Sequence, residues 1–357
     1  MTDERRLAIA GGTALLGRGL DAAPDAVVLV EGRSIVEAGG RDSVRIPDNW
    51  SVLDASGTMV LPGFIDSHVH IGLADPGDVL RRGVTTVRDL AWPLDRISAM
   101  ARDSKKAGSD GPLVLAAGPM LTVDGGYPIA AGWAPERTGV AVTSTAHARE
   151  IVDALVAAGV SVIKIALNPP AGEVLPTAVL MEIVATAHGH GMKVTGHIHG
   201  LAELKKALDS GIDELAHMLM SPEPMPEPVI ARMVGAGVAI VPTLSIFPRR
   251  DLPVAVDNLR RFVAAGGRVI YGTDLGNEGP GPGIDESEVT RMASAGLTVA
   301  DIIRSATVDA AEWLELPYKG VIEPGRDADI VCVEGPIEEP SGLTSVRHVV
   351  REGRVVT

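Results

Sequence analysis

Between residues 7 and 60 the short apolar stretches LAIAGGTALL, AVVLVEG, RSIVEAGG and SVLDASGTMVL are divided by glycine-containing or charged turns. Alternation of apolar and polar positions over such short spans predicts half-buried strands rather than helices. From Gly63 the rhythm changes. Apolar runs that predict strands are GFIDSHVHI, VTTVRDL (84–90), LVLAAG (113–118), VSVIKIAL (160–167), MKVTGHIHG (192–200), DELAHML (213–219), VAIVPTL (238–244) and RVIYGTD (268–274). Between them lie helical stretches, among them TAHAREIVDALVAAG, TAVLMEIVATAHGHG and GLAELKKALDSG, which close on glycine as helix C-termini commonly do. After SATVDAAEWLEL closes a helix, GVIEPGRDADIVCVEG and VRHVVREGRVV return to strand-like alternation.

Eight βα units over about 250 residues match the size of a (β/α)8 barrel. An open doubly wound sheet would want a glycine-rich phosphate turn after its first strand, and GFIDSHVHIG offers none. The expected architecture is therefore α/β: a TIM-like (β/α)8 barrel over 62–316, inserted in a small β-sandwich formed by 1–61 and 317–357.

Composition narrows the partners. A chain of 357 residues with 46% hydrophobic content can bury a large core, and its net charge of −14 disfavours nucleic-acid and anionic-membrane partners. Cys332 is the only cysteine, which excludes an intrachain disulfide and a cysteine-based zinc knuckle, and fits a reducing compartment. RRLAIAGGTALLG has the outline of a leader peptide, but Asp3 and Glu4 precede it and glycines dilute it, so a strand fits better. No apolar run approaches the ~20 residues that span a bilayer. A cytoplasmic chain with a small-molecule substrate is expected, its oligomeric state left open.

The candidate chemistry begins at PGFIDSHVHIG, residues 62–72. Side chains alternate along a strand, so Asp66, His68 and His70 share one face. An isolated H-x-H is more often a pair of core histidines than a metal site, and the rest of the rim decides. Lys164, His197, His199, His217 and Asp274 also fall at C-terminal strand ends, where a barrel gathers its catalytic groups. His188 and His190 belong to the opposite end, His147 to a helix face and His348 to the sandwich. Lys164, among Val162, Ile163 and Ile165, would bury an ammonium. It either pairs with Asp66 or Asp274, or becomes a neutral amine able to add CO2 as a carbamate that bridges two ions. No G-x-S-x-G elbow is present, and GTALLGRG lacks the lysine of a phosphate loop.

PGFIDSHVH, GVTTVRDL, VIKIAL, KVTGHIHG, GIDELAHM, VPTL, YGTDLG and GVIEPGRDADIVCVEG run in one order over nearly the whole chain. Together they resemble the amidohydrolase superfamily, in its imidazolonepropionase-like and Xaa-Pro dipeptidase-like (prolidase-like) branch. The resemblance implies one or two divalent metals, with two Zn2+ as the expected pair and manganese, iron, nickel and cobalt open. It implies that His68 and His70 bind the more buried ion, that carboxylated Lys164 bridges the two, and that His197 and His217 hold the second. Asp274 would bind the first ion and shuttle the proton. A hydroxide bridging the ions would attack an amide, peptide-like or cyclic amide C–N bond. The alternatives are a lactone, carbamate or other xenobiotic bond at the same site. Less favoured are a deaminase, whose branch usually lacks the bridging lysine, and a non-catalytic binding protein. His199 would contact substrate or replace His197 as ligand, and Asp66 would fix an imidazole. Tyr127 in LTVDGGYP, Arg88, Trp92 and Trp133 are expected near the mouth, with Tyr127 and Arg88 as substrate contacts.

Overall fold

The structure, a computed structural model, describes residues 5–357, so Asp3 and Glu4 lie outside the described residues. The stretch weighed as a leader is folded into strands Arg6–Ala10 and Thr13–Leu16. Arg6–Ala10 joins Ala26–Glu31, Ser34–Gly40 and Ser51–Asp54 in a four-stranded sheet. A six-stranded sheet combines both ends of the chain. It runs Arg354–Val355, Val346–Arg351, Ile330–Glu334, Thr58–Pro62, Thr13–Leu16, Asp21–Ala23. Ile9, Val28 and Ile35 of the first sheet share one apolar cluster with Val60, Ile330, Cys332 and Val350 of the second. Alternation along short strands accounts for this: one face of each sheet is apolar and turns toward the other.

The middle of the chain supplies parallel strands and intervening helices. Phe64–Val69, Val84–Asp89 and Leu113–Ala116 form a three-stranded sheet. A six-stranded sheet follows in the order Gly139–Ala141, Met120–Thr122, Ile163–Leu167, Val194–Ile198, Glu214–Leu215, Ala239–Ile240. Every pairing in both is parallel. Helices Thr145–Ala157, Thr177–Gly189 and Leu201–Ser210 stand where the periodicity places them. Ser144 caps the first by accepting from His147 N, and Gly211 ends the third in the left-handed conformation.

The eight expected strands do not close into a continuous barrel. Residues 213–219 and 238–244 yield two paired residues each, and 268–274 yields no strand. That last segment is stitched in by isolated bridges, Ile240 with Val269 and Val69 with Leu275, and by Ser67 N donating to Tyr271 O. Local geometry explains the irregularity. Thr243 and Asp274 both take positive φ, 43° and 62°, which ends regular pairing at the residues nearest the candidate site. Gly272 approaches so closely that a Cβ there would lie 2.4 Å from Val241 Cγ1 and 2.9 Å from His68 N. Strands Met120–Thr122 and Gly139–Ala141 were not expected; three residues give too little alternation to read. Among the described residues no helix is long and apolar enough to cross a membrane.

Candidate metal centre

His68, His70, Lys164, His197, His217 and Asp274 are all buried, and the structure brings them together. Nε2 of His68 and Nε2 of His70 each lie 3.2 Å from Asp274 Oδ1, and these three donor atoms fall within 4.8 Å of one another. The His217 ring lies 4.7 Å from that of His68 and 4.8 Å from that of His197, centroid to centroid. Lys164 acts electrostatically on His68, His70, His197 and His217.

Backbone carbonyls fix how two of the imidazoles are protonated. His68 Nδ1 lies 2.7 Å from Ala216 O, and His70 Nδ1 lies 3.2 Å from Ala91 O. A carbonyl only accepts, so each Nδ1 carries a proton, and in the neutral ring the Nε2 turns a lone pair inward. Both lone pairs then face Asp274 Oδ1, itself an acceptor with no donor. Such a convergence in a buried space is satisfied by a cation: a metal ion, or a proton on His70, which Asp274 and Asp89 favour. Lys164 Nζ is likewise buried without a hydrogen-bond partner. This donor set, imidazole and carboxylate with an orphaned amine beside it, fits a divalent metal centre.

Electrostatics point the same way. Burial pushes His68, His197 and His217 well below the ordinary histidine value, with Lys164 and the neighbouring imidazoles adding to the effect, which leaves them neutral. For His70 burial works downward, but Asp274 and Asp89 carry it above its ordinary value. Burial lowers Lys164 to about 7 against the pull of Asp274 and Glu214, within reach of the neutral amine.

Other expected residues have different partners. Asp66 does not touch an imidazole. It accepts from Thr273 Oγ1 at 2.6 Å and from the backbone N–H of Thr273 and His68, tying the first parallel strand to the irregular 268–275 segment. Arg88, expected at the mouth, lies in the core. It is 1% exposed, with Nη2 on Glu214 Oε1 at 2.6 Å and Nε on Ser67 O at 2.8 Å, so its guanidinium is engaged inside the core. Trp92 is also buried, packed where a Cβ on Gly72 would collide with its indole. Tyr127 does reach the centre, stacking on His197 at 4.4 Å and 19°, and Trp133 lies 4.9 Å from His70. His199 is partly exposed and stands at the wall of a neighbouring cavity. His188 and His190 pair with Asp213 and Asp153 on the surface.

Several contributors carry no signal in the sequence. The Ala91 and Ala216 carbonyls are backbone atoms. Asp89, raised to about 6 by burial, accepts from Ile71 N and Ala91 N and so shapes the turn that presents His70. Thr243 Oγ1 lies 2.9 Å from His217 Nδ1, and Asn168 Nδ2 lies 3.1 Å from His197 Nε2. The only hint of the last two was their position just past a strand end.

The amidohydrolase family model matches residues 59–356. An uncharacterised protein of Mycobacterium tuberculosis is 28% identical over 330 residues, covering 84% of this chain and 85% of that protein. An imidazolonepropionase of Deinococcus deserti is 27% identical over 380 residues, covering 92% of this chain and 91% of that protein. Among solved structures, a Xaa-Pro dipeptidase with bound methionine in the active site superposes with a TM-score of 0.82 at 22% identity, over 98% of this chain and 99% of that one.

Proposed function

This chain belongs to the amidohydrolase family, and from that premise we propose that it hydrolyses an amide, peptide-like or cyclic amide C–N bond at a binuclear metal centre. Family relatives are hydrolytic enzymes acting on C–N bonds, and the chain is a hydrolase of that kind. The observation that supports the finer reading is the convergence of His68 Nε2 and His70 Nε2 on Asp274 Oδ1, each at 3.2 Å, in a buried space. The proposal includes the division into a barrel over 62–316 and a sandwich of 1–61 with 317–357.

His68, His70 and Asp274 would hold one divalent ion, and His197 and His217 the second, zinc being the best match to imidazole and carboxylate donors. Bound there, the ions supply water activation near neutral pH and polarisation of the scissile carbonyl. Lys164, as a neutral amine that takes up CO2 and releases a proton, would become a carbamate and so add anionic oxygen donors to the residues that would hold the ions. Asp274 Oδ1 accepts the proton of the attacking water, then passes it to the departing nitrogen. Burial of the whole set strengthens each of these charge interactions. Tyr127 and Trp133 lie against His197 and His70 and exclude water from that flank. His199 lies on the substrate side.

The same residues would serve a lactone or carbamate, so the bond is chosen by what the loops admit. The test is metal content of the purified protein by mass spectrometry, joined to a panel of amides, dipeptides, lactones and carbamates. Two ions per chain and chelator-sensitive turnover of C–N substrates are expected. A metal-free protein that binds no added zinc overturns the proposal.

A further inference from the structure

Beside the candidate metal centre lies a cavity of about 640 Å3. It opens between residues 220–222 and residues 246–251, which follow the strands Glu214–Leu215 and Ala239–Ile240. His199 and Met220, bridged to each other, stand at its wall. They lie two and three residues beyond His197 and His217, so the cavity begins where the ligand-bearing segments end. Its wall continues through Ser221, Pro222, Ile246, Phe247 and Pro248, of which only the serine is polar. Arg250 and Asp251 also line it, but Arg250 Nε lies 3.3 Å from Asp251 Oδ2, and their charges offset each other.

The chemistry at the metal centre requires none of these apolar side chains. An imidazolone, a purine or a small polar amide would leave the wall facing water. The volume falls in the range of small-molecule pockets, whose linings are predominantly apolar. Tyr127 and Trp133 already fill space against the His197 and His70 imidazoles. A substrate large enough to need more room finds it here.

We propose that this cavity is the subsite for a bulky alkyl or aryl group of the substrate, and that the enzyme selects amides or carbamates carrying such a group over small polar ones. This rests on the hydrolase reading above and adds the substrate class. Burying one methylene contributes about 0.8 kcal/mol, or about fourfold in affinity. Selection should therefore climb steeply with apolar size until the cavity is full.

The test uses two ladders of simple amides on the metal-loaded enzyme, one lengthened from methyl to hexyl on the nitrogen, the other on the acyl side. Binding of N-hexylacetamide and N-methylacetamide to the metal-stripped chain is measured alongside by calorimetry. One ladder is expected to rise in kcat/KM by about fourfold per methylene. Ser221→Trp, which places an indole in the cavity, and the milder Ser221→Leu should both flatten it. The metal-stripped chain should bind the hexyl compound far more tightly than the methyl one, and Ser221→Trp should abolish the difference. Two flat ladders with length-independent binding overturn the subsite while turnover preserves the hydrolase. Length-dependent binding that Ser221→Trp removes, with no turnover of any substrate, upholds the subsite and overturns the hydrolase.

Discussion

Arg88 and Glu214 form a buried ion pair, Nη2 to Oε1 at 2.6 Å, with side chains 2% and 1% exposed. Glu214 also accepts from Thr195 Oγ1 at 2.6 Å and from Trp313 Nε1 at 2.5 Å. The pair thus joins strands Val84–Asp89, Val194–Ile198 and Glu214–Leu215 to helix Val308–Trp313, and it lies within electrostatic reach of Lys164. Arg88→Met leaves the Glu214 carboxylate buried without its cation and should cost about 3–5 kcal/mol of stability. Combining it with Glu214→Gln should recover most of that loss. Urea unfolding of the three variants measures it. A stable Arg88→Met enzyme with a raised KM would instead restore Arg88 to the substrate contacts.

Asp274→Asn keeps the shape of the side chain and removes its charge and proton affinity. Two consequences are separable. Metal content should fall, because the anionic donor facing His68 and His70 is gone. At saturating metal, turnover should still drop at least about 100-fold, the usual scale for losing a general acid–base group. Metal titration and kcat on the refilled variant distinguish the two. Full turnover by the refilled protein would remove Asp274 as proton shuttle.

The site was legible in the sequence where chemistry coincides with the ends of regular elements. Asp66, His68 and His70 alternate along one strand, and Lys164, His197 and His217 end others, so topology alone gathers them. What topology does not determine is where a long side chain ends. Arg88 sits on a strand as the ligands do, yet a carboxylate 126 residues away draws it into the core. Barrel closure was also illegible. The apolar runs around 213–219, 238–244 and 268–274 are indistinguishable from other strands, but pairing is limited to Glu214–Leu215 and Ala239–Ile240, and Thr243 and Asp274 take left-handed φ at the ends of the last two runs. The 276–283 run GNEGPGPG has the composition of a mobile lid or a plain turn. It approaches the chain at one point, where a Cβ on Gly279 would lie 2.6 Å from Ser245 O, while Glu278 and Gly279 are exposed.

Lys164→Met replaces a buried amine that has no hydrogen-bond partner by an apolar chain of similar length. In metal-free protein the substitution should raise stability by about 1–3 kcal/mol, the scale of one unsatisfied buried polar group. Metal capacity should fall, since the bridging carbamate cannot form. Intact mass of the wild type, kept in bicarbonate, should exceed the sequence mass by one CO2 per chain, and that increment should vanish in the variant. A wild type without the increment at full metal occupancy would leave Lys164 an unmodified ligand or none.

Glu288 offers a pH test away from the metal. It is fully buried, Oε2 accepts from Ser245 N at 2.7 Å and Ser245 Oγ at 3.0 Å, and Oε1 has no partner. Asp285 shares the same serine, accepting from Oγ at 2.5 Å. Burial first, and the Asp285 charge in addition, raise Glu288 from 4.5 to about 8, against the hydrogen bonds from Leu244 and Ser245. Between those values the folded chain holds a proton that the unfolded chain has lost. Stability therefore falls as pH rises through this window, by at most about 1.4 kcal/mol per pH unit. Glu288→Gln keeps the acceptor oxygen and cannot ionise, so it should unfold at a Tm close to wild type at pH 5 and above wild type at pH 8. Parallel melting curves for the two proteins, with no change of slope in the variant, would mean that Glu288 is already ionised across the window. The Ser245 turn would then have to tolerate two buried carboxylates.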